Sequence, residues 1–189
     1  MNMISSKCIR LKAIVSFVVI VLVAGSIRAE DSLYLSVDTT KATYCDQPEA
    51  RQFDFWLGEW NMFWGEGQNT ETGTNSITSE LRECMIEENF VSDGLDPFVG
   101  RSISVYDARV GRWKQTWTDN RGGYLDFVGG WEGDRMLLAR EVISDSLQFT
   151  QRMVWYNITK SSLEWKWERS DDHGESWQLL WHISYSRQN

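Results

Sequence analysis

Large apolar and polar side chains alternate with a period of two in short runs after residue 55. In the run from Ser176 to Ser186, Trp177, Leu179, Trp181, Ile183 and Tyr185 share one face, with Gln178, His182 and Ser184 among those on the other. Trp113, Gln115, Trp117 and Asp119 line up in the same way, as do Leu163, Trp165 and Trp167 against Glu164, Lys166 and Glu168. Period two marks a half-buried β-strand, and the spacings of three and four that a helix needs are missing from these runs. The pattern predicts strands near Glu59–Trp64, Ser76–Leu81, Met85–Val91, Gly100–Tyr106 and Arg112–Asp119. It predicts five more near Tyr124–Trp131, Met136–Val142, Leu147–Tyr156, Ser162–Arg169 and Ser176–Ser186. Turn chemistry separates them, as at Gly65-Glu66-Gly67, Asp93-Gly94, Asn120-Arg121-Gly122-Gly123 and Asp172-His173-Gly174.

About ten short strands at this spacing imply an all-β meander. Closing it into an up-and-down barrel would remove the exposed edges; a sandwich or an open sheet is the alternative. All eleven tryptophans follow residue 55, so the interior is aromatic. The dense cluster Phe53 to Leu57 precedes the first strand and reads as a short helical turn.

The first 29 residues fall outside this domain. Lys7, Arg10 and Lys12 precede an apolar run from Ala13 to Gly25, and Ala29 offers a small residue before a cut ahead of Glu30. That is the layout of a secretory signal peptide. An uncleaved anchor is the alternative, but the run is shorter than the roughly 20 residues a spanning helix needs. Residues 30–52 form a polar lead-in, and the barrel domain occupies 53–189. The remaining chain of about 160 residues is long enough for one core that buries roughly 70% of its unfolded surface. The whole chain carries a net charge of -8. Nucleic acid and anionic membrane surfaces are poor partners for it, and no membrane association is expected after cleavage. Cys45 and Cys84 remain after cleavage. In an exported protein they read as a disulfide, with two free thiols as the alternative. The periplasm or the extracellular space is the expected location. His173 and His182 are the only histidines, and no metal-ligand spacing occurs, so neither metal nor cofactor is expected.

Several constellations carry more. Gly58-Glu59-Trp60 resembles the Gly-x-Trp signature of lipocalin-like barrels. There, a preceding helical turn plugs one end and the Trp packs against an Arg of the last strand. The resemblance assigns these structural roles to Trp60 and Arg187, and cation–π contact is the physical reason. Ser170 to Trp177 matches the Asp-box pattern Ser-x-Asp-x-Gly-x-Ser/Thr-Trp, a hairpin turn in which the Asp accepts backbone donors. One copy in a short chain is read as a well-made hairpin.

A wider run of residues is similar to one family. Arg51 to Trp60, Cys84, Glu88-Asn89-Phe90, Gly100-x-Ser102, Tyr106-Asp107, Gly111 to Asn120, Arg152, Trp155 and Trp167 to Trp177 resemble, in order, a family of mostly bacterial exported proteins. That family is known as domain of unknown function fifteen-seventy-nine; Phe90 stands where it usually has Trp. The resemblance implies a lipocalin-like (calycin) barrel and no established activity.

Polar residues among the strand aromatics are the candidate site. Gln115 and Asp119 share a face with Trp113 and Trp117, Glu88 with Ile86 and Phe90, and Arg152 with Val154 and Tyr156. If these faces line the barrel, then Glu88, Gln115, Trp117, Asp119, Arg152 and Trp167 form a cavity for a small hydrophobic or amphipathic molecule, with Arg152 as its anchor. A structural ion pair of Arg152 with Glu88 or Asp119 is the alternative. Two other functions compete with a binding module. One is a calycin-type isomerase, hydratase or lyase with Glu88 or Asp119 as acid/base. The other is carbohydrate binding on exposed Trp faces. Haem would need an inward His, and neither histidine reads as inward.

Overall fold

A computed structural model describes residues 45–144 and 146–188. The expected signal segment and most of the expected lead-in lie outside the described residues. The ten strands are β1 (Gly58–Trp64), β2 (Glu71–Glu80), β3 (Met85–Ser92), β4 (Val99–Asp107) and β5 (Arg112–Asp119), followed by β6 (Tyr124–Glu132), β7 (Arg135–Ser144), β8 (Leu147–Tyr156), β9 (Ser162–Ser170) and β10 (Gln178–Arg187). Each pairs antiparallel with its sequence neighbour, and β10 closes on β1, giving a closed up-and-down barrel. Closure leaves no free sheet edge. β2 begins earlier than its hydrophobic pattern suggests, because Gly73 and Asn75 are its inward residues there.

Two 3₁₀ turns, Pro48–Arg51 and Asp54–Trp56, precede β1. They plug the end of the barrel where β1 starts and β10 finishes. Phe53 meets Trp113 and Trp155 edge to face, with ring centres 4.8 and 5.2 Å apart. Edge-to-face packing sets the positive rim of one ring on the negative face of another.

Trp60 is fully buried above the plug, and its indole N–H donates to the Trp56 carbonyl at 2.7 Å. Arg187 pairs with Trp60 across the β1–β10 seam and lays its guanidinium 4.1 Å from the Trp ring centre. The same guanidinium donates to the carbonyls of Leu57 (2.6 Å), Phe55 (3.2 Å) and, through Nε, Lys160 (2.9 Å). Gly58 is required at this corner. Its φ is +117°, and a Cβ would overlap the Arg187 guanidinium. The Cys45–Cys84 disulfide, with Cα atoms 5.2 Å apart, ties the lead-in to the β2–β3 turn. A formed disulfide fits an oxidising location rather than the cytoplasm.

The Asp-box segment is a hairpin turn between β9 and β10. Asp172 accepts from the Ser170 hydroxyl (2.7 Å) and the Ser176 N–H (2.9 Å). Ser170 in turn accepts from the Gly174 N–H at 2.7 Å. His173 is exposed at its tip.

Candidate functional site

Inward residues of the strands between the plug and the open end enclose a cavity. Its wall includes Glu88, Phe90, Phe98, Gln115, Trp117, Asp119, Phe127, Trp155, Trp165, Trp167, Trp181 and Tyr185. The free space is about 100 Å³. Ring-to-ring contacts fix the wall. Phe90 meets Trp117 at 6.0 Å and Trp181 at 5.7 Å, both close to edge-on, and Trp165 meets Trp181 at 5.8 Å, nearly perpendicular. Phe98, from the β3–β4 connection, closes over Phe90, Trp117 and Trp181 at the open end. Gly100 lets the Trp117 ring lie directly on the β4 backbone, where any Cβ would overlap the indole. The indole nitrogens of Trp155 and Trp167 are covered and have no partner among the described residues, so these rings offer carbon to the cavity.

One side of the wall is polar. Glu88 is 6% exposed. Its carboxyl accepts from the Asn75 amide at 2.7 Å and the Ser102 hydroxyl at 2.6 Å. The Asn75 amide also lies 3.3 Å from the Tyr185 hydroxyl oxygen. Gln115 donates to Ser104 at 2.9 Å beside them. Burial pushes the Glu88 carboxyl up to about 7, only partly offset by the Ser102 and Asn75 hydrogen bonds. Burial and the neighbouring Glu88 push the Tyr185 hydroxyl up as well.

Asp119 has a different task. Its carboxylate accepts from the N–H groups of Arg121 (2.9 Å) and Gly123 (2.8 Å) and from the Trp117 indole (3.1 Å). Burial alone would raise its pKa, but these donors and the nearby Arg121 charge together hold it below the usual carboxylate value. Asp119 therefore shapes the β5–β6 turn and orients Trp117.

Five of the six residues expected in a cavity, Glu88, Gln115, Trp117, Asp119 and Trp167, do line it. Arg152 does not. It shares a face with Val154 and Tyr156 as expected, but that face is the outer one. Met153 and Trp155 point inward. The Arg152 Nε donates to Glu168 at 2.6 Å, and its guanidinium stacks 3.7 Å from the Trp177 ring centre. Lys166 completes the outer cluster, 2.6 Å from the other Glu168 oxygen. Burial raises the Glu168 carboxyl, and the Lys166 and Arg152 contacts outweigh it, so the net shift is downward. The ion pair is real, but its acid is neither Glu88 nor Asp119.

The β10 face also divides. A register shift between Leu179 and Trp181 turns Leu179 outward opposite Glu168, while Trp181, Ile183 and Tyr185 stay inward. Trp177, beyond the shift, stacks on Arg152 outside. His182 is outward, 2.8 Å from Glu164 and 3.3 Å from the Tyr156 hydroxyl. Sequence reasoning missed Asn75 and Ser102, which hold Glu88, and Phe98, which closes the cavity.

No family model matches the chain, and no curated protein matches it. Among solved structures, that of Rv2717c from M. tuberculosis is similar, with a TM-score of 0.54 over 76% of this chain and 99% of that chain, at 12% identity. At that identity the likeness concerns the fold alone. The ten-stranded closed antiparallel barrel with its end plug fits the lipocalin-like class.

Proposed function

We propose that this barrel binds a small hydrophobic or amphipathic molecule in its cavity, as an exported member of the family that its landmark residues resemble. The observation that carries the reading is an aromatic cavity with one polar side, built around Glu88. Aromatic walls supply contact area, and a few polar groups fix orientation. At about 100 Å³ the cavity is smaller than the ~300–1,000 Å³ of drug-sized sites. The ligand is therefore only a few heavy atoms across, unless Phe98 or Trp181 swings aside to admit more. The inward aim of most tryptophans favours an internal ligand over sugar binding on outer Trp faces.

Glu88 also supports a second reading, a calycin-type enzyme. A buried carboxyl brought near neutrality is matched to general acid/base work.

The test is native mass spectrometry of protein purified from an exporting host. A retained small molecule, on a chain lacking residues 1–29 and two hydrogen atoms lighter for the Cys45–Cys84 bond, is the expected result. A full-length product removes export from the proposal. An empty protein whose Trp fluorescence no small molecule quenches removes the binding function.

A further inference from the structure

We propose that the cavity ligand is a small organic cation, an amine or quaternary ammonium group held against Glu88 by the surrounding aromatic rings. The inference rests on the binding reading above and adds the charge of the ligand. Glu88 is a buried carboxyl on the cavity wall, and no Lys, Arg or His is among the lining residues. Among the described residues it forms no ion pair; its partners are the neutral Asn75 and Ser102. Each of its oxygens accepts one hydrogen bond, which leaves acceptor capacity directed at no protein group. Two cations contact rings of the wall, and the buried Nε of one of them, Arg140, has no hydrogen-bond partner among the described residues. Arg121 stacks on Phe98 at 5.0 Å, and Arg140 lies 5.8 Å from the Phe127 ring centre.

A buried carboxylate without a counter-charge is costly, and a cation brought by a ligand would supply it. Phe90, Trp117, Trp165 and Trp181 suit the same ligand, because ring faces attract a desolvated cation and Trp attracts it most strongly. The approach agrees in sign. A depression sharing Phe98 and Trp181 with the cavity is lined by Glu71, Asp93 and Asp96 against the single Arg121. An acidic mouth concentrates cations and repels anions.

Binding would be linked to protonation of Glu88. Of the groups that face it, Asn75 from β2, Ser102 from β4 and Gln115 from β5 do not titrate. Asp119 from β5 is shifted down and Tyr185 from β10 is shifted up, so neither changes charge between pH 5 and 8. Met153 from β8 and Trp167 from β9, on the remaining wall, are neutral. Arg140 from β7 is the one guanidinium that lies against a ring of this wall, that of Phe127, among the described residues of β7.

Choline is a suitable probe, because its charge does not titrate and 3,3-dimethyl-1-butanol is its neutral carbon isostere. Mature protein is titrated with both, and with 3,3-dimethylbutanoate, by calorimetry and Trp fluorescence. At pH 8, choline should bind at least about tenfold more tightly than the alcohol, and the anion more weakly than either. Choline affinity should fall by up to about tenfold per pH unit below about 7, while the alcohol's stays level. Glu88→Gln should abolish the choline preference over the alcohol and its pH dependence. The pH series on the unaltered protein serves as the test if that variant does not fold. Equal binding of choline and alcohol would overturn the cation inference and leave the binding reading standing. Failure of all three probes to bind would overturn the cation inference too, and a ligand retained in native mass spectrometry would then preserve the binding reading alone.

Discussion

Glu88→Gln should make this barrel more stable at alkaline pH and almost indifferent to pH in the range where the unaltered protein weakens. The carboxyl moves from an ordinary 4.5 in the unfolded chain to about 7 in the fold, driven by burial. A folded-state pKa above the unfolded one means that the native protein holds the extra proton between those values. Stability is then highest at low pH and falls as pH rises from about 4.5 through about 7. At about 1.4 kcal/mol per pH unit, the full effect is about 3–4 kcal/mol, of which about 2–3 kcal/mol falls between pH 5 and pH 8. Glu88 is nearly inaccessible, so solvent screening does not dilute this figure. Gln keeps the shape and removes the ionisation, and the Ser102 hydroxyl can rotate to accept from the new amide. Urea melts of ligand-free protein and variant at both pH values supply four free energies. Their double difference cancels every other titrating group and should be about 2–3 kcal/mol, with the unaltered protein the more pH-sensitive. A double difference below about 0.5 kcal/mol, within the usual non-additivity of distant sites, would mean that water or an unseen cation reaches Glu88, and the desolvation argument would fail.

Trp60→Ala empties the layer above the plug and removes the ring under Arg187; urea melts should show a loss of about 3–5 kcal/mol, and a loss below about 1 kcal/mol would contradict the packing role. Replacing Cys45 and Cys84 together by Ser opens the 39-residue link and should cost about 4 kcal/mol in the chain-entropy model, whereas an unchanged melting midpoint would refute the disulfide's contribution. Arg152→Met should cost about 1–3 kcal/mol through the lost Trp177 stacking and Glu168 hydrogen bond, with Lys166 still neutralising the acid. Ligand quenching should be unaffected by that change, and a clear loss of ligand affinity would return Arg152 to the binding site.

The barrel was legible because most strands alternate cleanly. Ile86, Glu88 and Phe90 on β3, and Trp113, Gln115 and Trp117 on β5, are inward without exception, and polar outer neighbours separate them. Alternation fails where the outer face is also covered. On β8, Met153, Val154 and Trp155 are all buried, so period two gives no phase, and choosing the parity of Val154 turned Arg152 the wrong way. The cover is the Asp-box hairpin, whose Trp177 packs outside on Arg152. A one-residue change of register exchanges the two faces of a strand, and the irregularity in β10 between Leu179 and Trp181 does so in mid-strand. Nothing in the side-chain pattern marks a bulge there. The early half of β2 was illegible for the opposite reason, since Gly73 and Asn75 offer no apolar signal.

The polar layer explains why the cavity is small and one-sided. Asn75, Glu88, Ser102, Ser104 and Gln115 come from four adjacent strands, β2 to β5, and face inward almost fully buried. Aliphatic residues at these positions would fill the barrel and complete the core that the plug begins. Polar side chains in such a place weaken the fold unless each is satisfied, and Glu88 together with the Asn75 side-chain Oδ1, which has no partner among the described residues, shows that satisfaction is incomplete. On the opposite wall, β8 to β10 contribute Trp155, Trp165, Trp167 and Trp181, which are larger than filling alone requires beside an open space. A barrel selected only for stability would close that space with the same strands. A carboxyl with no ion-pair partner among the described residues, ring carbon facing open space and an acidic approach together favour the proposed charged ligand over packing alone.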